Sequence, residues 1–284
     1  MKNNQNSVSV IIPVFNRAKL IYRSINSVIN QTYPVNEIIV IDDGSKDGTY
    51  DLVKRDFPQV ILIHQENKGV STARNVGIKL AKSKWIAFLD SDDEWLPKKV
   101  EKQINLLNTN FSYKICHTDE VWIRNQIRVN PMKKHRKYGG DIYNKCLPLC
   151  VISPSSIIIH KDIFNDVGLF DKSLPVCEDY DMWLRICSKY SVLYLDQKLI
   201  NKFGGHDDQL SKKYWGMDLY RVIALEKMID NPNINNKDRM ATINMAINKV
   251  KILQKGYIKH DHKKEAQEMS TKLIKLASLN ENYI

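Results

Sequence analysis

Glycine and proline are scarce in this chain. Eleven glycines and nine prolines in 284 residues come to about 7%, against the ~12% of average usage, which excludes a collagen-like or low-complexity polymer. No apolar run approaches the ~18 residues of a membrane-spanning helix. The longest candidates, Val8 to Val14 and Ile38 to Ile41, have strand length. The polar start MKNNQNS leads straight into a strand and does not have the pattern of a secretory signal. The five cysteines (Cys116, Cys146, Cys150, Cys177, Cys187) are odd in number and lack a C-x-x-C pair. This argues against a disulfide framework and a four-thiolate zinc site, and a reducing cytoplasm is the expected compartment. Two nucleotide fingerprints are also missing: no G-x-G-x-x-G follows the first strand, and no G-x-x-x-x-G-K-[ST] occurs. A Rossmann dehydrogenase and a P-loop kinase are set aside on that ground.

Acids are outnumbered, and the formal net charge is +11. Such an excess bears on solubility and nonspecific attraction before it bears on function. The bases concentrate at Lys133 to Lys137 and after Lys198, while several acids sit in tight clusters. No helix-turn-helix, zinc-finger or aromatic RNA-binding signature accompanies them, so nucleic acid is not an expected partner.

The first half alternates. VSVIIPV (Val8 to Val14) and EIIVI (Glu37 to Ile41) read as short buried strands, and Val60 to His64 and WIAFL (Trp85 to Leu89) as two further strands. Between and after them, Arg17 to Gln31, Gly48 to Asp56, Ser71 to Ala81 and Pro97 to Leu107 read as helices. This rhythm predicts an α/β fold with right-handed crossovers and a mainly parallel sheet covered on both faces. The second half predicts a hairpin over Val121 to Val129 turning near Asn125 and Gln126, a basic loop over Met132 to Tyr138, a strand over Ser155 to His160 and a helix over Glu178 to Lys189. Two strands, Val192 to Leu195 and Lys198 to Phe203, follow. Beyond His206 the pattern is helical, over Tyr214 to Ile229, Lys237 to Gln254 and His260 to Leu276, a tail able to pack as a small bundle.

In open α/β sheets, ligands gather outside the carboxyl ends of the strands. Three such ends carry distinctive residues. Asp90-Ser91-Asp92 follows WIAFL; two carboxylates with one residue between them can chelate a hard cation through oxygen. Two like charges ~4 Å apart repel by about 4 kcal/mol at an effective dielectric of ~20. Three acids in four residues, Asp93 included, therefore need a cation, protonation or wide exposure; helix capping or an acidic turn is the structural alternative. Asp42-Asp43-Gly44-Ser45 ends the second strand, where carboxylates can accept from a ribose hydroxyl or a base imide, or simply form a turn. Pro13, Phe15 and Arg17 end the first.

Asn67 to Gly77 opens a helix in which Arg74 either pairs with these acids or meets an anionic substrate. Cys177-Glu178-Asp179-Tyr180-Asp181 opens another, with acids placed to complement the helix dipole or to act as a general base on a hydroxyl. Gly204-Gly205-His206 offers a neutral imidazole to a metal or phosphate, or a structural histidine. No Ser-His or Cys-His nucleophile pair is evident.

Taken together, VSVIIPVFNR, SVINQTYP, EIIVIDDGSKDGT, ENKGVSTARNVGI, WIAFLDSDDEWLP, VGLFD, LPVCEDYDMWLRI and GGHDDQLS resemble, in order, the family-2 glycosyltransferases of GT-A fold, from Val8 to about Ser211. The resemblance implies a GT-A-type Rossmann-like mixed sheet flanked by helices over residues 1–211, with a nucleotide-sugar half to about 110 and an acceptor half after it. Residues 212–284 are expected to form a helical extension. It also implies inverting, metal-dependent transfer of a sugar from a nucleotide-diphosphate donor, with uridine the expected base, to a glycan or lipid-linked acceptor in cell-surface glycan assembly. On this resemblance Asp42 and Asp43 hold the base or ribose, bordered by Pro13, Phe15 and Arg17. Asp90, Ser91 and Arg74 contact the nucleotide sugar. Asp92, with His206, holds a divalent cation (Mn2+ or Mg2+). Asp179 is the general base, with Glu178 and Asp181 as alternatives. A noncatalytic nucleotide-sugar-binding relative is the rival reading; it would keep the acid cradle and lose the base.

The expected location is cytoplasmic. The run KKHRK (Lys133 to Lys137) and the Lys-rich tail read as solvated faces, or as a surface drawn to anionic lipid that would set the enzyme at the inner membrane face.

Overall fold

Every residue of Val8–Val14 is buried, and its side chains divide by parity between two cores. Val8, Val10, Ile12 and Val14 pack with Ile21, Ile25, Val28, Val100, Ile104 and Leu107. Ile11 points the other way and packs with Ile39, Ile41, Ala73 and Ile78. A strand buried on both faces needs no polar alternation, which is why this segment reads as a continuous apolar run.

The structure is a computed structural model that describes residues 6–205, 214 and 216–281. The alternating half comprises β1 (Val8–Val14), α1 (Ile21–Ile29), β2 (Glu37–Asp42), α2 (Thr49–Asp56), β3 (Ile61–His64), α3 (Val70–Leu80), β4 (Trp85–Phe88), the two-residue β5 (Glu94–Trp95) and α4 (Lys99–Thr109). Then come β6 (Ile115–Arg124), β7 (Ile127–Val129), α5 (Tyr143–Cys146), β8 (Ile158–His160), α6 (Ile163–Val167), α7 (Glu178–Cys187) and β9 (Leu193–Gly204). Three helices follow: α8 (Met217–Ile229), α9 (Asn236–Lys259) and α10 (Lys263–Glu281).

Among the described residues the strands form one sheet in the order β3-β2-β1-β4-β8-β6-β9-β5, with β7 paired to β6. The first four are parallel, as the alternation predicts. Beyond β4 the sheet is mixed: β8 runs antiparallel to both β4 and β6, β9 is parallel to β6, and β5 is antiparallel to β9. Gly77 seats α3 on this sheet, since a Cβ there would lie 2.4 Å from Ile11 Cγ2.

Three elements depart from their predicted form. α1 is shorter than the amphipathic span 17–31, because residues 16–18 are held by the loop after β2. The backbone N–H groups of Arg17 and Ala18 donate to Thr49 Oγ1 and Asp47 Oδ2 at 2.9 and 3.0 Å. The hairpin turns at Asn125 and Gln126, both with positive φ, but its first strand starts at Ile115. The two strands predicted over 192–203 are one, β9, whose register against β6 slips at Asp196 and Gln197.

The C-terminal helices are joined to the body by one core. Val222, Leu225 and Met228 of α8, Ile243 and Val250 of α9, and Leu276 of α10 are continuous with Trp183 and Leu184 of α7. Asn235 caps α9 by accepting from Asp238 N–H at 2.8 Å. Among the described residues no helix is long and apolar enough to cross a membrane.

Candidate active site

The carboxyl ends of β1, β2 and β4 open on one rim, as parallel neighbours must. Asn16 adopts φ 51° just past β1. Its N–H donates to Ser45 Oγ and its side-chain oxygen accepts from Lys46 N–H, both at 2.8 Å, which ties the loop after β1 to the loop after β2. Phe15 stands exposed on this rim and Arg17 is half-buried beside it, whereas Pro13 is buried within β1 opposite Ile41. Pro13 thus shapes the strand end from inside.

Asp42 and Asp43 are both buried but serve different neighbours. Asp42 Oδ2 lies 2.6 Å from His64 Nδ1 on β3. Asp43 accepts from Gln65 Nε2 at 2.6 Å and from the backbone N–H groups of Lys68 and Gly69 at 2.9 and 2.8 Å. It therefore fixes the segment leading into α3. Gly44 is required at this corner: its φ is 81°, and a Cβ would fall 2.9 Å from Asn67 N.

The turn after β4 places its three acids in different surroundings. Asp90 pairs with Arg74 Nη2 at 2.8 Å. Asp93 is buried, accepts from Ser155 Oγ at 2.6 Å and from Phe203 N–H at 3.0 Å, and burial pushes its carboxyl well above the usual range. Asp92 is half-buried, and its carbonyl accepts from the Arg23 guanidinium; Ser91 beside it is buried. Ser155 also accepts from Asp90 N–H at 3.1 Å, so the turn is braced from the segment just before β8.

Arg74, only 3% exposed, joins this turn to α7. Its Nη1 donates to Glu178 Oε1 at 2.6 Å. Burial opposes its charge, but Asp90 and Glu178 outweigh that and raise its pKa. Of its two open roles, ion pairing with the acids is the one the structure displays. Glu178 is buried; burial and then the charge of Asp179 push its carboxyl up to about 7 against the pull of Arg74. Cys177 launches α7 from the left-handed region at φ 62°, an uncommon conformation for a residue with a side chain. Asp181 is turned away from the rim, held by Arg185 at 2.8 Å and by Lys227, which makes it a structural acid. Asp179 is half-buried, and the Cys150 thiol donates to its Oδ2 at 3.2 Å. Asp90, Glu178 and Asp179 therefore converge around one guanidinium. His206 lies outside the described residues.

Sequence reasoning missed a second set of charges behind these acids. Lys202 on β9 is embedded among Glu120, Asp93, Asp90 and Asp179, whose charges outweigh the effect of burial and raise its pKa. Glu120 on β6 is buried, accepts from Ser153 Oγ at 2.5 Å and Trp122 Nε1 at 2.8 Å, and lies 3.3 Å from Lys137 Nζ. Burial would raise its carboxyl, but Lys137 and Lys202 bring it down to about 2. Lys137 is consequently buried rather than part of a solvated face. The alternation of β6 and β9 holds the only signal for these residues: Glu120 and Lys202 occupy positions within strands.

A parallel-to-mixed sheet with acids converging at the ends of its first strands and at the start of a helix is the architecture of a GT-A glycosyltransferase. Residues 9–168 match the profile of glycosyl transferase family 2, and the chain belongs to that family. It is 34% identical over 216 residues to an uncharacterised glycosyltransferase of Rickettsia typhi, covering 74% of this chain and 68% of that protein. It is 34% identical over 189 residues to the Escherichia coli UDP-Glc:alpha-D-GlcNAc-diphosphoundecaprenol beta-1,3-glucosyltransferase WfaP, covering 64% of this chain and 70% of that one. In longer rickettsial relatives it spans as little as 31% of their length. The fold matches residues 1–349 of Staphylococcus aureus TarS in complex with UDP-GlcNAc, with a TM-score of 0.77 at 17% identity, over 95% of this chain and 81% of that one.

Proposed function

We propose that the chain moves a glycosyl residue from a UDP-sugar to a hydroxyl of a lipid-diphosphate-linked saccharide, with inversion at the anomeric carbon. The convergence of Asp90, Glu178 and Asp179 on Arg74 carries this reading, because it sets a half-buried carboxylate beside the strand-end rim expected to hold the donor. WfaP, by its name, takes UDP-Glc and a diphosphoundecaprenol-linked acceptor, and TarS was crystallised with UDP-GlcNAc.

In this reading Asp179 removes the proton of the acceptor hydroxyl. Glu178, occupied by Arg74, positions the guanidinium rather than reacting. An inverting displacement needs one base and no covalent nucleophile. Asp43 and the segment it fixes supply the wall for the base and ribose, with Phe15 at its edge.

The residues present fit a divalent cation. No three His, Cys, Asp or Glu side chains gather as a cage among the described residues. Mg2+ commonly takes one or two carboxylates and leaves its other positions to phosphate and water. Asp92, and the Asp90 oxygen not held by Arg74, are the donors of that type. A bound Mg2+ or Mn2+ supplies Lewis-acid stabilisation of the departing diphosphate.

The test is a panel of UDP-sugars read by thermal shift with Mn2+, Mg2+ or chelator, followed by transfer to a lipid-diphosphate saccharide. A ligand at a hundred times its Kd adds about 2.7 kcal/mol of stability. Stabilisation by a UDP-sugar that chelator abolishes, together with transfer, is the expected result. Binding without transfer would favour the noncatalytic relative, and indifference to every UDP-sugar would remove the reading.

A further inference from the structure

Between Glu120 and Asp141 the chain has no acid and six bases: Arg124, Arg128, Lys133, Lys134, Arg136 and Lys137. The structure separates Lys137 from the others, burying it against Glu120 at 3.3 Å. That ion pair pulls the end of the basic segment onto β6. Two further contacts hold it there: His117 Nε2 lies 2.8 Å from the Tyr138 carbonyl, and the His135 ring sits 4.8 Å from the Trp122 ring. The turn Lys133–His135 is therefore packed against the β6–β7 hairpin rather than trailing from it.

The face this creates is both basic and apolar. The positive φ values of Asn125 and Gln126 make the tight turn that sends Ile127 outward, where it is 69% exposed. Met132 is 60% exposed at the start of the basic turn. Lys133, Lys134 and Arg136 are exposed on that turn, whereas Arg128, next to Ile127 on β7, points to the other side of the hairpin. Aliphatic side chains projecting from a cationic rim match the boundary of a bilayer, where apolar groups enter between headgroups and bases meet anionic lipid. Single-stranded nucleic acid calls for exposed aromatic platforms, and here the exposed apolar residues are aliphatic. The same strand that carries the hairpin carries Glu120, the acid behind Lys202, so the face adjoins the site.

We infer that this face, Ile127 and Met132 with Lys133, Lys134 and Arg136, docks the protein on a bilayer bearing anionic headgroups. The inference deepens the proposed function and rests on it for its purpose: a lipid-linked acceptor lies in that bilayer, and docking brings the site to it.

The experiment is co-sedimentation of the full chain with phosphatidylcholine vesicles, with and without phosphatidylglycerol. Each base near an anionic surface multiplies partitioning by about fivefold, so Lys133→Glu with Lys134→Glu should lower binding to the anionic vesicles by at least about 25-fold. Ile127→Ser with Met132→Ser should lower the part of binding that survives high salt, where charge attraction is screened. The thermal shift with a UDP-sugar, measured without lipid, should be unchanged in both variants, which reports an intact fold and donor site. Partitioning equal for the parent chain and both variants overturns the inference. So does retention on single-stranded RNA, lost with the charge variant while vesicle binding persists, which would assign the face to nucleic acid. Absence of any UDP-sugar shift in the parent chain would sink the proposed function and leave the vesicle result standing.

Discussion

Arg74 Nη1 donates to Glu178 Oε1 at 2.6 Å across 104 residues of sequence. The other arm of the same guanidinium holds Asp90 at 2.8 Å. One buried cation thus ties the acid turn of the parallel half to the first residue of α7 in the mixed half, and the planar fork suits two carboxylates approaching from different directions.

Removing that cation should be costly. Arg74→Met leaves Glu178 buried without its partner and is expected to lower the unfolding free energy by about 3–5 kcal/mol. Urea unfolding at unchanged slope reads it directly. Arg74→Lys should also fail to restore the parent value, since a point charge cannot reproduce the two-armed grip. Parent-like midpoints in both variants would show that the contact contributes nothing.

The two acids assigned chemical roles should separate by assay. Asp179→Asn should lower transfer by roughly 10²–10⁴-fold while leaving UDP-sugar affinity near the parent value. Asp92→Asn should instead remove the chelator-sensitive part of UDP-sugar binding. Calorimetry beside a transfer assay distinguishes them, and full turnover by either variant would refute its assignment.

His117 should make stability fall in mild acid. It is fully buried, and burial, followed by the charge of Lys137, lowers its pKa to about 4 from the ordinary 6.5. The unfolded chain therefore binds a proton that the folded one refuses, and stability declines as pH drops from about 6.5 toward 4. A gap of that size corresponds to about 3 kcal/mol. Urea unfolding at both ends of the window should show a smaller loss for His117→Gln than for the parent chain; equal losses would contradict the mechanism.

Gly44→Ala should disturb the rim from its corner. The added methyl meets Asn67 N at 2.9 Å on a backbone with φ 81°, so destabilisation of about 1–3 kcal/mol is expected. Because the shifted segment is the one Asp43 holds, UDP-sugar affinity should weaken as well. Calorimetry on the folded variant checks this, and parent-like affinity would detach Asp43 from the donor site.

The parallel half was legible because its information is local. β1 and β2 are contiguous buried runs, and α3 carries the small residues that seat it on the sheet. The strand-end acids were legible for the same reason, being clustered in sequence as well as in space. β8, with three residues, and β5, with two, are too short to show a period, so the change from parallel to mixed pairing came from the family resemblance and not from the apolar pattern. β9 looked like two strands because Asp196 and Gln197 interrupt its apolar pattern at a register slip. Lys137 sat inside a run of bases that looked uniformly solvated; only the folded path of β6 brings Glu120 beneath it. Lys202 and Asp93 were hidden likewise, since nothing near either in sequence shows which long-range partners would surround it.

Ser155 receives the N–H of Asp90 and gives its own proton to Asp93, just before β8 turns back against the direction of β4. The acidic corner is thereby wedged from behind by the turn that leads into a strand arriving from the opposite side. A corner held in this way has little freedom left to surrender when a ligand arrives, so most of the entropy needed to arrange it is spent during folding rather than at capture.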